Sequence, residues 1–270
     1  TIRGEGPPQA PAPMRDGLRF LRTLSRRRLR GGWRSIAPDR AVTEIEDAHH
    51  AAIAGARRLI YVETQYFRNR RLARRLARAA REIPGLTMIL ILPAAPDDVA
   101  FEGATGLDAR LGEFLQAKCL RILRRGFGRR LFVGGAAQPR KTRARGRAQL
   151  KGAPLVYIHA KVSIFDDERA IVSSANLNGR SLRWDTEAGL LIERPGTVAA
   201  LRRRLMEHWL AGEPGAAFFD PGQAVLAWRA LATRNAKLPP DQRRGFLLPY
   251  DHRQAEVFGR AFPLVPDEMV

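Results

Sequence analysis

Three short apolar runs follow one another between Leu155 and Ile192, and they constrain the fold more than any other stretch of the chain. The first, Leu155 to Phe165, alternates apolar residues with others of strong β propensity and predicts a strand. Asp166 and Asp167 offer a turn at its end. Ala170 to Ser173 begins the second run, with Ser174-Ala175-Asn176 at its close, and Ala188 to Ile192 forms the third. A hairpin of the first two returns Ser174 and Asn176 to the neighbourhood of His159 and Lys161. In a strand, residues i and i+2 share a face, so His159 and Lys161 are expected to point the same way, roughly 7 Å apart. Glu187 enters at the start of the third run.

These residue types suit a tetrahedral anion. An imidazole serves as nucleophile or general acid near neutral pH. The Lys161 ammonium and the Asn176 amide can hold non-bridging phosphate oxygens, and Ser174 adds a further donor. A carboxylate at Glu187 can accept the other imidazole N–H and fix the tautomer of His159. Asp166 sits where Asp is favoured for turn bonding and is expected to orient the hairpin rather than touch the anion. Glu63 and Gln65, at the end of another strand, are expected to line the site.

The stretch His159-x-Lys161-x4-Asp166, followed by Ser174-x-Asn176 and a downstream acid, resembles the HKD motif of the phospholipase D superfamily. Ser173 stands where the family usually has Gly. Upstream, Leu59 to Phe67 (LIYVETQYF) is similar to a strand that two-motif bacterial and eukaryotic members carry between their motifs, with Thr64 where Asn is common. Arg22-Thr23 and the basic segment after it look like the stretch that precedes this strand. The likeness covers about residues 18 to 212 and is to the C-terminal half of two-motif, cardiolipin synthase-like proteins.

The resemblance implies phosphodiesterase or phosphatidyltransferase chemistry on phospholipids through a phosphohistidine, with no cofactor and no metal. It also implies two motifs per active site, whereas His49, His50, His208 and His252 all lack a Lys two residues on. The missing partner is expected to be an N-terminal half of the same polypeptide, or else a second copy in a homodimer. As the second His in chain order, His159 would be the general acid/base. The alternatives are a superfamily nuclease acting on nucleic acid, and a non-catalytic half-domain that binds anionic membranes.

The remaining pattern predicts an α/β fold, a mixed sheet with helices on both faces. Helices are expected at 41–57, 69–83, 109–125 (closed by Gly126) and 197–210, and strands at 59–63, 86–92 and 131–133. Asp97, Asp98 and Glu102 fall in a loop between 93 and 108. Residues 1–40 read as a Pro/Ala-rich leader and basic linker, 41–212 as the catalytic half-domain, and 213–270 as a C-terminal extension packed on it.

Charge narrows the partners. The chain has 47 basic and 27 acidic residues, a net +20, which favours phospholipid surfaces or nucleic acid. Arg far outnumbers Lys, which weakens that argument, because Arg-rich and Ala-rich usage also follows genome composition. Residues 134–154 hold Arg140, Lys141, Arg143, Arg145, Arg147 and Lys151 and read as a flexible basic loop that steers an anionic substrate. The longest apolar run, Thr87 to Leu92, stops at Pro93, far short of a bilayer span. A cytoplasmic or peripheral-membrane location is expected. The single cysteine, Cys119, permits no intramolecular disulfide and is expected to be buried.

Overall fold

A computed structural model describes residues 10–26, 39–96, 99–100, 106–212 and 214–252, with Val257 and Gly259. Asp97, Asp98, Glu102 and the basic segment 27–38 lie outside the described residues. In chain order the elements are β1 (Leu18–Arg26), β2 (Asp39–Thr43), α1 (Glu44–Gly55), β3 (Leu59–Thr64), α2 (Arg70–Glu82), β4 (Thr87–Leu92), α3 (Leu107–Phe127) and β5 (Leu131–Ala136). After them come β6 (Gln149–Leu150), β7 (Ala153–Pro154), β8 (Lys161–Phe165), β9 (Arg169–Ser173), α4 (Gly179–Arg183), β10 (Glu187–Ile192), α5 (Pro195–Leu210), α6 (Ala224–Asn235) and β11 (Leu247–Pro249).

Among the described residues, nine strands form one mixed sheet in the order β11-β5-β4-β3-β8-β9-β10-β1-β2. The pairs β3–β4 and β4–β5 are parallel. The pairs β3–β8, β8–β9, β9–β10 and β10–β1 are antiparallel. Strand alternation feeds a core on each face, as expected for a sheet with helices on both sides. Ile60 and Val62 join the core that also holds Ile45, Leu72, Leu76, Leu123 and Phe127 from α1, α2 and α3. Leu59 and Tyr61 join the opposite core, with Val198, Met206 and Trp209 of α5 and Trp228 of α6.

The Arg-rich helix forms as its periodicity predicts. Leu72, Leu76 and Ala79 of α2 are buried, while Arg71, Arg74, Arg75 and Arg78 are exposed. Asn69 caps it, its side chain accepting from the Leu72 N–H at 3.0 Å. Gly126 does not close α3, which continues to Phe127. A Cβ at Gly126 would lie 2.5 Å from Ala77 Cα, so the glycine permits close approach of α3 to α2. Cys119 is buried.

Two expectations need correction. Residues 18–26 belong to no linker, because β1 is an internal strand between β10 and β2 with Leu21 and Thr23 buried. Its arginines hid the alternation. Residues 39–43 form a strand on β1, so α1 begins at Glu44 rather than 41. The segment after 212 adds an edge strand to the sheet: β11 pairs with β5, and Trp228 packs edge-on against Tyr61 and Phe132.

The 134–154 segment is also less loose than its composition suggests. Strand β5 runs to Ala136, Gln138 N–H donates to the Pro154 carbonyl, and β6 and β7 form a small hairpin. Arg147 pairs with the fully buried Glu113 at 2.7 Å. Arg143 and Arg145 are exposed.

One buried histidine makes the fold pH-sensitive. His49 Nδ1 lies 2.8 Å from the Ile45 carbonyl and Nε2 lies 3.1 Å from the Ser163 hydroxyl. A carbonyl only accepts, so Nδ1 carries the proton and Nε2 accepts from Ser163. Burial pushes this imidazole down to about 4, against the opposing pull of the Ile45 carbonyl. The unfolded ring protonates near pH 6.5 and the folded ring does not, so folding stability falls as pH drops from about 6.5 towards 4. The expected loss at pH 4 is about 3 kcal/mol relative to a His49→Leu variant, read as the difference between their urea-melt pH profiles. Parallel profiles for the two proteins would refute it.

Candidate active site

The hairpin of β8 and β9 and the start of β10 bring most of the expected residues to one end of the sheet. The register pairs Lys161 with Thr64 and Ser173 with Gly189. Ser174 N–H then donates to the Ala188 carbonyl at 2.9 Å, which sets Ser174 beside Glu187.

Lys161, Asn176 and Gln65 converge. Lys161 Nζ donates to Gln65 Oε1 at 3.1 Å and to the His159 carbonyl at 2.9 Å. Asn176 Nδ2 donates to the same Gln65 oxygen at 3.4 Å. The remaining oxygen of Asn176, Oδ1, is buried without a partner. Desolvation pulls the Lys161 ammonium below its usual pKa, and the charge of Glu187 opposes that pull. An ammonium and a carboxamide that share one acceptor have the donor geometry an anionic oxygen needs.

His159 is not on a strand, contrary to the expectation for Leu155 to Phe165. The partner strand β3 ends at Thr64, opposite Lys161, so β8 starts only at Lys161. Leu155 instead bridges to Ala137. His159 is exposed, and its ring stacks on Tyr157 with centroids 6.1 Å apart and planes 25° from parallel. Among the described residues no side chain hydrogen-bonds the His159 imidazole.

Glu187 does not take the position expected of it. Its carboxylate accepts from the Ser174 hydroxyl rather than from the His159 ring. The β9–β10 register decides this, because it seats Ser174 directly against the start of β10. Ser174 is exposed and Glu187 half-buried, so the pair still borders the open end of the sheet.

Glu63 does not line the opening either. It is 3% exposed, and its carboxylate accepts from the Tyr61 hydroxyl at 2.5 Å and the Trp209 indole N–H at 2.9 Å inside the α5-side core. Burial pushes its carboxyl above the usual range despite those two bonds. Strand parity explains the separation, since Glu63 shares a face with Tyr61. Gln65 lies past the end of β3, free of that parity, and joins the site.

Asp166 stands apart from Lys161, Asn176 and Gln65. Its backbone is left-handed at φ +55°, and its carboxylate accepts from the backbone N–H groups of Arg57, Arg58 and Leu59, each at 2.8 Å. Tyr157 was absent from the sequence-based set. Its hydroxyl meets Gln65 Nε2, and its ring covers His159. An aromatic two residues before the His, within the same alternating run, was the available signal.

Among the described residues, no cluster of three or more His, Cys, Asp or Glu could hold a metal ion. No described helix is long and apolar enough to cross a membrane.

Comparison with known proteins identifies the family. Residues 50–209 match the family model described as "Cardiolipin synthase, PLD-like domain". Phospholipase D zeta 1 of Arabidopsis thaliana is 30% identical over 199 residues, 63% of this chain and 18% of that protein. Phospholipase D1 of Mus musculus is 26% identical over 191 residues, 58% of this chain and 17% of that protein. The chain thus spans less than a fifth of the length of these relatives. Among solved structures, NucT from Helicobacter pylori aligns with a TM-score of 0.42 at 16% identity, over 59% of this chain and 83% of that one. Phosphatidylserine synthase from Haemophilus influenzae aligns with a TM-score of 0.43 at 19% identity, over 70% of this chain and 37% of that one. With more than half of its residues matched by the family model, the chain belongs to the cardiolipin synthase, PLD-like domain family, and so to the phospholipase D superfamily.

Proposed function

We propose that this chain supplies one half of a phospholipase D-type active site that cleaves or transfers the phosphodiester of a phospholipid. The observation that carries the proposal is the convergence of Lys161 Nζ and Asn176 Nδ2 on a single oxygen at the open end of the sheet. These two donors hold the non-bridging oxygens, and Ser174 adds a hydroxyl beside them. One imidazole attacks phosphorus, forming a P–N bond as the P–O bond to the leaving alcohol breaks. A second imidazole gives that alcohol its proton. The same second ring then takes a proton from water or an acceptor alcohol, whose oxygen attacks phosphorus and breaks the P–N bond. His159 is assigned the proton-transfer role, as the motif order within the superfamily implies.

The second imidazole comes from outside this chain, from another part of a longer polypeptide or from a second copy. The surface beside the site suits being covered. Phe20, Leu190 and Val172 form one cross-strand row, with Phe20 70% and Val172 41% exposed. That row lies two residues along the strands from Ser174 and Ala188, on the same sheet face. Exposed apolar residues grouped in this way favour a packed partner over solvent.

Substrate class is tested by assaying the protein on phosphatidylcholine, on a phosphatidylglycerol-type cardiolipin precursor, and on single- and double-stranded DNA. Lipid turnover that falls at least a hundredfold in Lys161→Ala is expected, because one transition-state donor is lost. DNA cleavage without lipid turnover would replace the lipid reading with a nuclease. Lipid turnover unaffected by Lys161→Ala would reject this site.

A further inference from the structure

Gln65 is the residue on which the site's donors meet, although nothing in the phosphodiester mechanism requires it. Its carbonyl oxygen accepts from both the Lys161 ammonium and the Asn176 amide. Its amide nitrogen donates to the Tyr157 hydroxyl. The side chain is 8% exposed and stands at the end of β3, so it enters the site from the sheet.

Two details give this arrangement a function. The Lys161 and Asn176 contacts, at 3.1 and 3.4 Å, are longer than the roughly 2.7–2.9 Å of a charge-assisted bond. A phosphate oxygen therefore makes better bonds with the same donors than the neutral carbonyl does. The chemistry of Gln is also specific here. The His159 carbonyl takes one Lys161 donor, and a second donor of a desolvated ammonium left unpaired is costly, while a carboxylate in this place would neutralise the ammonium and repel the diester. A neutral carbonyl satisfies Lys161 and Asn176 without either penalty, and with Asn176 Oδ1 unpartnered the Asn amide is held on this side only through Nδ2.

The geometry points to Gln65 as an internal stand-in for a phosphate oxygen: its carbonyl keeps Lys161 and Asn176 aimed at one point while the site is empty, and the incoming phosphate displaces it, with the Tyr157 hydroxyl as the latch on its amide. This inference rests on the phosphodiester reading above. It makes Gln65 a competitor of substrate as well as a positioning residue, and it separates the two roles by sign. A residue that only positions the donors weakens phosphate binding when removed, whereas a competitor tightens it.

The test uses the full chain labelled with 15N-lysine, titrated with inorganic phosphate and read at Lys161 Nζ. Lys161→Arg assigns that signal among the five lysines. Gln65→Ala is expected to bind phosphate roughly threefold to tenfold more tightly, the factor set by losing a competing hydrogen bond of ordinary net strength. Gln65→Glu, of the same size, is expected to bind at least tenfold more weakly. Tyr157→Phe releases the latch and is expected to tighten binding by a smaller factor, which keeps the idea testable if Gln65→Ala fails to fold. Unchanged or weaker binding in Gln65→Ala, or in Tyr157→Phe where the first is unfolded, overturns the stand-in and leaves the phosphodiester reading intact. A Lys161 signal that ignores phosphate in the wild-type chain overturns the phosphodiester reading and the stand-in with it.

Discussion

Replacing His159 with Ala is expected to lower diester turnover by at least a thousandfold and to leave the thermal midpoint within a degree or two of wild type. The two halves of that expectation have separate causes. His159 is exposed, lies outside the sheet, and donates or accepts no described hydrogen bond through its ring. Its main ring contact is the stack on Tyr157. Truncating such a residue changes stability by roughly half a kcal/mol or less. Turnover depends on the ring in a different way. Without it, either phosphorus has no nucleophile or the leaving alcohol has no proton donor, and proton transfer alone contributes about a hundredfold to ten-thousandfold. The measurement is initial rate on a phospholipid diester together with a melting curve on the same preparation. A His159→Ala protein that turns over within tenfold of wild type would remove His159 from the chemistry. One that has lost ten degrees of stability would show that the ring is structural.

The free position of His159 also shows which parts of this protein were legible in its sequence. Local pattern located α2, because leucines at helical spacing and arginines between them leave only one way to bury the helix. It located β3 and β4 to within a residue, since short continuous apolar runs, Leu59 to Val62 and Met88 to Leu92, suit strands buried on both faces. It also located the hairpin that brings Ser174 and Asn176 back to Lys161. Pairing across distant sequence was not legible. Strand β8 begins at Lys161 because β3 ends at Thr64, almost a hundred positions earlier, and no pattern near His159 records that. The β9–β10 register likewise gives Glu187 to Ser174 instead of His159. Strand β1 was missed for a chemical reason. Arg19, Arg22 and Arg26 sit on a strand near the edge of the sheet, and Arg22 pairs with Glu44 at 2.6 Å, so basic residues there are compatible with a strand whose other side chains, Leu21 and Thr23, are buried.

Arg183→Ala is expected to destabilise the fold by about 3–5 kcal/mol at neutral pH and to disorder the Asn176 side of the site. Arg183 closes α4, the short helix that follows the Ser174-x-Asn176 turn, and it is 2% exposed. Its guanidinium bonds both oxygens of the Glu46 carboxylate on α1, with Nε at 2.6 Å. The same helix is capped by Asn178, which accepts from Ser181 N–H at 2.8 Å. The intervening Leu177 carbonyl accepts from the Arg68 and Asn69 N–H groups. The chain from Asn176 to Arg183 is therefore anchored at its middle and at its end, and removing the end anchor frees the segment that positions the Asn176 amide. Glu46 makes the cost depend on pH. Burial by itself would raise its carboxyl, but the His50 ring 3.8 Å away and the hydrogen-bonded Arg183 guanidinium outweigh burial and hold it at about 2. A depressed carboxylate contributes its stability above the ordinary unfolded value and loses it as pH falls through the folded one. The wild-type advantage over Arg183→Ala should thus be largest above about pH 4.5 and shrink towards pH 2, because the orphaned Glu46 of the variant is relieved by taking up a proton. Replacing both partners, Glu46→Leu with Arg183→Met, should recover most of the loss, since a buried pair replaced by apolar groups of similar size costs little. Urea melts of the three proteins at pH 7 and pH 3 decide the matter. A single variant as stable as wild type at pH 7, or a pH-independent difference, would mean that the ion pair does not anchor α4.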